Sequence, residues 1–258
     1  MSSFSVGCQT IMWGPDRNRH AMSEVLREVA AAEYDGVEIG ARHLDLNRPN
    51  DFRRTLEAVG LRLVALHVGG DFLNPQSVAS ERGRINQVLN FLSALETEYL
   101  TISGTPKDST SLEDFRQEAA ELDRLGAHCR AHGVRLCYHN HYWEIENGAV
   151  GLRTLCEKTH PENVALALDV GWIERAGGSP VQLLQEFLDR VAYVHLKDAK
   201  DGEFVELGQG TVDFAKIIAL LRQTGRAWWL IAEQDTTRRA PLESARMSRK
   251  YLREAFGI

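Results

Sequence analysis

The feature that most constrains this chain is a count. Eight short runs rich in Val, Ile, Leu and Tyr recur along it, with longer helical patterns between them. The runs are Val6–Ile11, Val37–Ile39, Leu61–Val68, Tyr99–Ile102, Val134–Tyr138, Val164–Asp169, Val191–Leu196 and Trp228–Ile231. Continuous apolar runs suit parallel strands buried on both faces. In residues 112–131, Leu112, Phe115, Ala119, Leu122, Leu125 and Ala127 recur near a 3.6-residue period. In 213–224, Phe214, Ile217, Ile218 and Leu221 do the same. Ser179 before Pro180, Asp213, and Ser111 with Asp114 three residues on have the chemistry of helix starts. Gly60, Gly133 and Gly225 stand where helices should stop.

Strands alternating with helices build a parallel sheet. Eight units in 258 residues give roughly 32 residues each, which matches a closed barrel of about 250 residues. An open doubly wound sheet would carry a Gly-rich fingerprint after the first strand, and QTIMWGP has none. The expected fold class is α/β, a single (β/α)8 TIM barrel over residues 1–258.

Composition then removes whole classes of function. Thirty Lys and Arg against 36 Asp and Glu give a net charge of −6, opposite to the basic excess of nucleic-acid binders. No apolar run approaches the ~20 residues of a membrane span. The N-terminal MSSFSVGCQTIMWG lacks the basic and apolar regions of a signal peptide. Cys8, Cys129, Cys137 and Cys156 form no CxxC pair and read as reduced thiols. A cytoplasmic protein with a small-molecule substrate, no nucleic acid and no membrane is expected.

A TIM barrel carries its active site at the C-terminal ends of its strands. There the chain places His139, Asn140 and His141, then Asp169, His195 and Glu233, at intervals of 30, 26 and 38 residues from His139 onward. Four consecutive strands thus aim one donor each at one mouth. Two imidazoles and two carboxylates suit a borderline divalent ion such as Mn2+, Co2+, Zn2+ or Mg2+, of which Mn2+ is the expected one. The plainer reading has Asp169 capping the next helix and His195 satisfied in the core. Trp13, Trp143, Trp172 and Phe72 follow strand ends and could pack on a sugar ring or plug the mouth. Trp228 and Trp229 open the last strand and read as packing. Glu38 and His67 are expected to contact substrate hydroxyls, or else to serve as structural partners. His141 could orient His139 or touch substrate. Lys197 could stabilise an enolate or be an ordinary exposed loop lysine. Gly208-Gln209-Gly210 could wrap a ligand or form a plain turn. His20, His43, His128, His132 and His160 read as surface residues.

The segments GVEIG (36–40), YHNH (138–141), LALDVGW (166–172), YVHLKD (193–198), LGQGTVDF (207–214) and WLIAEQD (229–235) resemble the sugar isomerase/epimerase family of xylose-isomerase-like TIM barrels. That family includes ketose 3-epimerases, hydroxypyruvate isomerase and inosose dehydratase. The resemblance covers nearly the whole chain and is strongest after residue 130. It implies one divalent metal held by Glu, Asp, His and Glu from strands five to eight. Asp169, His195 and Glu233 match the last three. His139 stands where the family has Glu, as in dehydratase-like branches with a Y-H-x-H segment. A His-Asp-His-Glu set carries two negative charges, which balance a dication and leave it a stronger polariser of a bound carbonyl.

The resemblance implies a metal-dependent sugar isomerase or epimerase that abstracts the proton α to a carbonyl through a metal-stabilised enediolate. Glu233, His141 and Lys197 would carry the chemistry. Loss of one of the family's two acid–base carboxylates brings in the alternative, an inosose-dehydratase-like lyase. An apurinic-endonuclease-like repair enzyme, opposed by the acidic charge, and a non-catalytic sugar-binding module complete the alternatives. Family relatives imply a homodimer or homotetramer.

Overall fold

The computed structural model describes residues 3–73, 75–104 and 111–258. Strands β1 (Phe4–Gln9), β2 (Gly36–Gly40), β3 (Arg62–Gly69), β4 (Tyr99–Ser103), β5 (Arg135–His139), β6 (Val164–Asp169) and β7 (Val191–Leu196) precede a hairpin of β8 (Asp198–Lys200) and β9 (Glu203–Val205). Strand β10 (Trp228–Ala232) then closes the barrel. The order around it is β1-β10-β7-β6-β5-β4-β3-β2, with every pair parallel. Each of the eight apolar runs is therefore a barrel strand.

The first run ends two residues early. Gln9 turns its side chain back to accept from Ile11 N at 2.8 Å and caps a 3-10 turn over Thr10–Trp13. The β8–β9 hairpin has no counterpart among the expected strands. Its three-residue arms are interrupted by Asp198, Lys200 and Glu203, so no apolar pattern marks them.

The helices are α1 (Gly14–His20), α2 (Met22–Ala31), α3 (Pro49–Glu57), α4 (Pro75–Ala94), α5 (Leu112–Ala131), α6 (Glu146–Lys158), α7 (Val170–Arg175), α8 (Pro180–Glu186), α9 (Phe214–Gln223) and α10 (Pro241–Phe256). The expected caps are in place. Ser111 and Asp114 form a reciprocal capping box on α5, Ser179 accepts from Gln182 N, and Asp213 accepts from Lys216 N. Gly133 and Gly225 have φ of 73° and 69°, the left-handed conformation that ends a helix without a Cβ clash.

The main core lies between strands and helices. A smaller cluster, including Val64, Cys137, Ala165, Ala167, Tyr193 and Ile231, fills the barrel. Trp228 is buried and Trp229 packs against the inner cluster. The four cysteines are unpaired. Among the described residues no helix is long and apolar enough to cross a membrane.

Candidate metal centre and active site

Side chains alternate across a strand, so a residue two positions beyond an inward one also points inward. Cys137 leads to His139, Ala167 to Asp169, Tyr193 to His195 and Ile231 to Glu233. The barrel register brings these four to one level. Asp169 pairs directly with His195, and Glu233 N donates to Leu196 O at 3.0 Å. One donor atom from each of His139, Asp169, His195 and Glu233 lies within 4.8 Å of the others, and all four residues are buried.

The unsatisfied atoms test whether a cation fits. Neither ring nitrogen of His139 has a hydrogen-bond partner among the described residues, and Oδ2 of Asp169 has only the Lys197 ammonium beside it, at 3.2 Å. A buried polar atom left unpaired costs about 1–3 kcal/mol. Burial, followed by the neighbouring His195, holds His139 well below the ordinary histidine range, so it is a neutral ring with a free lone pair. These residues fit a divalent ion.

Asp169 caps the next helix and also faces the cluster. Its Oδ1 accepts from Trp172 N at 2.8 Å and caps α7, while Oδ2 faces the cluster. Asn140 fixes the Asp169 backbone from both sides, with Oδ1 accepting from Asp169 N at 2.9 Å and Nδ2 donating to Asp169 O at 3.1 Å. His195 is a clamped ring. Its Nδ1 meets Glu233 Oε2 in a short contact, and its Nε2 meets Glu38 Oε2 at 3.1 Å. Burial opposes its charged form, but Glu38 and Glu233 outweigh that and raise it to about 10.

Glu38 is fully buried beneath the cluster, away from a pocket wall. Its Oε2 also accepts from Tyr193 OH at 2.8 Å and Thr101 Oγ1 at 3.2 Å. Burial would push it up, but His195 and His67 bring it down to about 2. His67 is half-buried, with Nε2 2.9 Å from Ser103 Oγ and its ring centroid 5.3 Å from that of His139.

Lys197 departs most from the ordinary case, because it is fully buried. Its Nζ lies 3.1 Å from Glu233 Oε1, 3.0 Å from Asp235 Oδ2 and 3.2 Å from Asp169 Oδ2. The rings of Trp172 and Phe204 cover it at 5.0 and 4.8 Å. The hairpin that hides it is the element the apolar pattern could not reveal. Burial disfavours the ammonium, yet Asp169, Glu233 and Asp235 outweigh it and raise its pKa. Burial likewise pushes Glu233 up, and Lys197 and His195 reverse this, holding it ionised.

His141 stacks on Trp143 at 4.4 Å with 6° between planes, and its centroid lies 4.9 Å from that of His139. Burial and the Lys197 charge lower it to about 3. The loop carrying it is pinned by Glu144, which accepts from Tyr138 OH at 2.6 Å and His141 N at 2.8 Å. Trp172 is half-buried and meets Phe204 edge-on. Trp13 turns into the core, with Nε1 donating to Glu28 Oε2 at 2.6 Å, and Phe72 is buried. A pocket of about 190 Å³ opens beside the cluster on the β1–β4 side, lined by His67, His141, Ser103, Asn18 and His43 among others.

The Gly208-Gln209-Gly210 turn wraps a carboxylate of the protein itself. Gly208 N and Gly210 N both donate to Asp198 Oδ2 at 2.9 Å, and a Cβ on Gly210 would lie 2.1 Å from Asp198 Oδ1. His20, His128, His132 and His160 are exposed, as expected. His43 is half-buried against the pocket. Asp235 and Asn18 had no part in the sequence reading, and Asn140 was placed at the end of β5 without a role. Asp235 lay two residues beyond Glu233 and could have been found as a partner for Lys197. The two asparagines act through backbone contacts that no spacing announces.

A closed eight-stranded parallel barrel with titratable groups converging at the strand ends defines the class of this protein. Residues 26–255 match the family model of the xylose isomerase-like TIM barrel, and the chain belongs to that family. It is 26% identical to an inosose dehydratase of Geobacillus kaustophilus, over 98% of this chain and 94% of that one. It is 24% identical to an inosose dehydratase of Clostridium tetani, over 98% and 97%. Among solved structures it superposes on a sugar phosphate isomerase/epimerase of Parabacteroides distasonis with a TM-score of 0.82, at 20% identity over 99% of this chain and 95% of that one. A D-allulose 3-epimerase from Methylomonas gives 0.81, at 19% identity over 99% and 98%.

Proposed function

We propose that the chain removes the proton beside the carbonyl of a small sugar- or polyol-derived ketone, with loss of water as the favoured outcome. It is an enzyme of the isomerase, epimerase or dehydratase group. The observation that carries the finer reading is the buried cluster of His139, Asp169, His195 and Glu233, with Lys197 lodged against Glu233.

A divalent ion held by those four residues, Mn2+ foremost, would supply Lewis acidity at the substrate carbonyl. Glu233 is the base. Kept ionised by its neighbours, it takes the proton from the carbon next to the carbonyl. The electron pair moves toward the carbonyl oxygen, and the Lys197 ammonium donates to the charge that develops there. When the pair returns, the carbon–hydroxyl bond breaks and a double bond forms. The proton held by Glu233 leaves with the hydroxyl as water. His141, stacked on Trp143, fixes the substrate edge nearest His139.

Elimination is favoured because β5 ends in an imidazole. Two-carboxylate epimerisation needs a second carboxylate facing Glu233 across the substrate, and β5 supplies His139 in its place. The inosose dehydratases that align with the full chain point the same way. Isomerisation or epimerisation is the second reading, because it shares the first step.

The experiment incubates the manganese-loaded protein with inososes and ketohexoses in deuterium oxide. Near-ultraviolet absorbance reports a conjugated enone, and NMR reports new isomers and deuterium at the α carbon. Enone formation is expected. New ketoses without absorbance would shift the reading to isomerisation. Full metal occupancy with neither product nor exchange would overturn both.

A further inference from the structure

The pocket of about 190 Å³ beside the cluster ends in an arginine that the proposed chemistry leaves unused. One wall carries His67 and His141, whose ring centroids lie 5.3 and 4.9 Å from that of His139. His67 pairs in register with Gly40 at the end of β2. Arg42 follows Gly40 by two residues, beyond the strand end, where it is exposed and lines the same pocket. Among the described residues that line it there is no Asp or Glu.

Arg42 is steadied by a neutral group. Its Nε donates to His43 Nε2 at 3.3 Å, within the 3-10 turn Ala41–His43. An arginine cannot accept, so this histidine nitrogen presents a lone pair. Burial, then the charges of Arg42 and Arg19, hold the His43 ring below the ordinary histidine range and keep it an acceptor. A Cβ on Gly40 would lie 3.1 Å from that ring, so the glycine lets it sit against the end of β2. With Nε engaged, both terminal nitrogens of Arg42 are without a partner among the described residues. Arg19, on α1, likewise pairs with no carboxylate among them. In a chain of net charge −6, two cations left unneutralised beside a pocket free of acids run against the overall balance.

A guanidinium with both terminal nitrogens free can grip two oxygens of one carboxylate or phosphate in parallel. A neutral hydroxyl gains nothing from the charge. We infer that Arg42 binds an oxyanion, carboxylate or phosphate, carried by the substrate away from its carbonyl, and that the substrate is an acidic sugar- or polyol-derived ketone. Arg19 adds to the positive field at the pocket. The volume falls short of the ~300–1,000 Å³ of drug-sized sites and admits one small acid. This rests on the proposed reaction for the placement of the carbonyl at the metal cluster, and it names the class of substrate that reaction leaves open.

The test measures binding separately from turnover. The metal-loaded protein is titrated calorimetrically with three ring polyols that have no carbonyl to react: neutral myo-inositol, myo-inositol 1-phosphate, and the carboxylate quinate. At least one acid is expected to bind about tenfold or more tightly than myo-inositol, and the tighter acid identifies the anion. Arg42→Gln is expected to remove that advantage, with metal content and myo-inositol binding unchanged. The position is exposed, so the variant is expected to fold. An acid that binds Arg42→Gln as tightly as the parent is held elsewhere, at the metal for instance, and overturns the subsite. Acids no tighter than myo-inositol, or no binding of any of the three, overturn it too. If an acid binds through Arg42 but no ketone turns over, the reaction falls and the subsite stands. If neutral ketones turn over with a lower KM than acidic ones, the subsite falls and the reaction stands.

Discussion

Nε2 of His195 stands 3.1 Å from Oε2 of Glu38, on the side of the ring away from Glu233. A carboxylate there accepts the Nε2 proton, so the proton that a bound cation would displace from this ring is the one on Nδ1, facing Glu233 and the cluster. Such partners fix the tautomer and orientation of a metal-binding imidazole, and losing one typically costs about 10–100-fold in affinity. Glu38→Gln keeps the shape but offers an amide that can present a donor to Nε2. Its manganese affinity, read by competition with a chelator, is expected to fall within that range. Unchanged affinity would separate Glu38 from the metal centre.

Glu233→Gln retains an oxygen for the cluster and loses the base. Turnover and deuterium exchange at the α carbon are both expected to fall by about 10²–10⁴-fold. Exchange that persists at the original rate in metal-loaded Glu233→Gln would assign the proton to another group.

Lys197 is the only described cation touching Asp169, Glu233 and Asp235 together. In Lys197→Met the stem is replaced and the charge is gone, leaving buried carboxylates short of a partner. Breaking a buried ion pair from one side costs about 3–5 kcal/mol. A drop of that order in urea denaturation is expected, with kcat reduced about 10²–10³-fold through loss of the charge facing the carbonyl oxygen. A stable variant with unaltered kcat would make Lys197 dispensable.

How far the sequence discloses this site depends on which interactions have a period. The strands were legible because burial on both faces leaves runs such as Val164–Asp169 and Val191–Leu196, whose bounds agree with the structure. His139, Asp169, His195 and Glu233 were legible because parallel strands place their C-terminal ends at one level. The burial of Lys197 was not, because it depends on a hairpin of three-residue arms held by Asp198, whose carboxylate accepts from the amides of Gly208 and Gly210. Nor was the pocket face of His43, set by a 3-10 turn against Gly40. Both arise from local backbone geometry with no repeat. Glu38 was legible as an inward group at a strand end, with substrate contact and structural partnership both open, because strand position gives direction and not the depth that sets it against His195 and Tyr193.

Glu144 supplies a pH test independent of the metal ligands. It is fully buried, and burial raises it from 4.5 to about 7, although hydrogen bonds from Tyr138 and His141 pull the other way. Below pH 4.5 the group is protonated in both folded and unfolded chains and contributes nothing to the pH dependence. Between 4.5 and about 7 the unfolded chain loses the proton while the folded one keeps it. The folded state then binds more protons, so stability falls as pH rises. Above about 7 the full cost is present, about 3 kcal/mol at about 1.4 kcal/mol per unit. Glu144→Gln mimics the protonated form, one acceptor and one donor, and does not titrate. The stability of Glu144→Gln minus that of the parent, with metal chelated in both, should therefore climb from near zero at pH 4.5 to a plateau above pH 7. Urea denaturation across that interval reads it directly, and a flat difference would mean that Glu144 is already ionised in the folded chain.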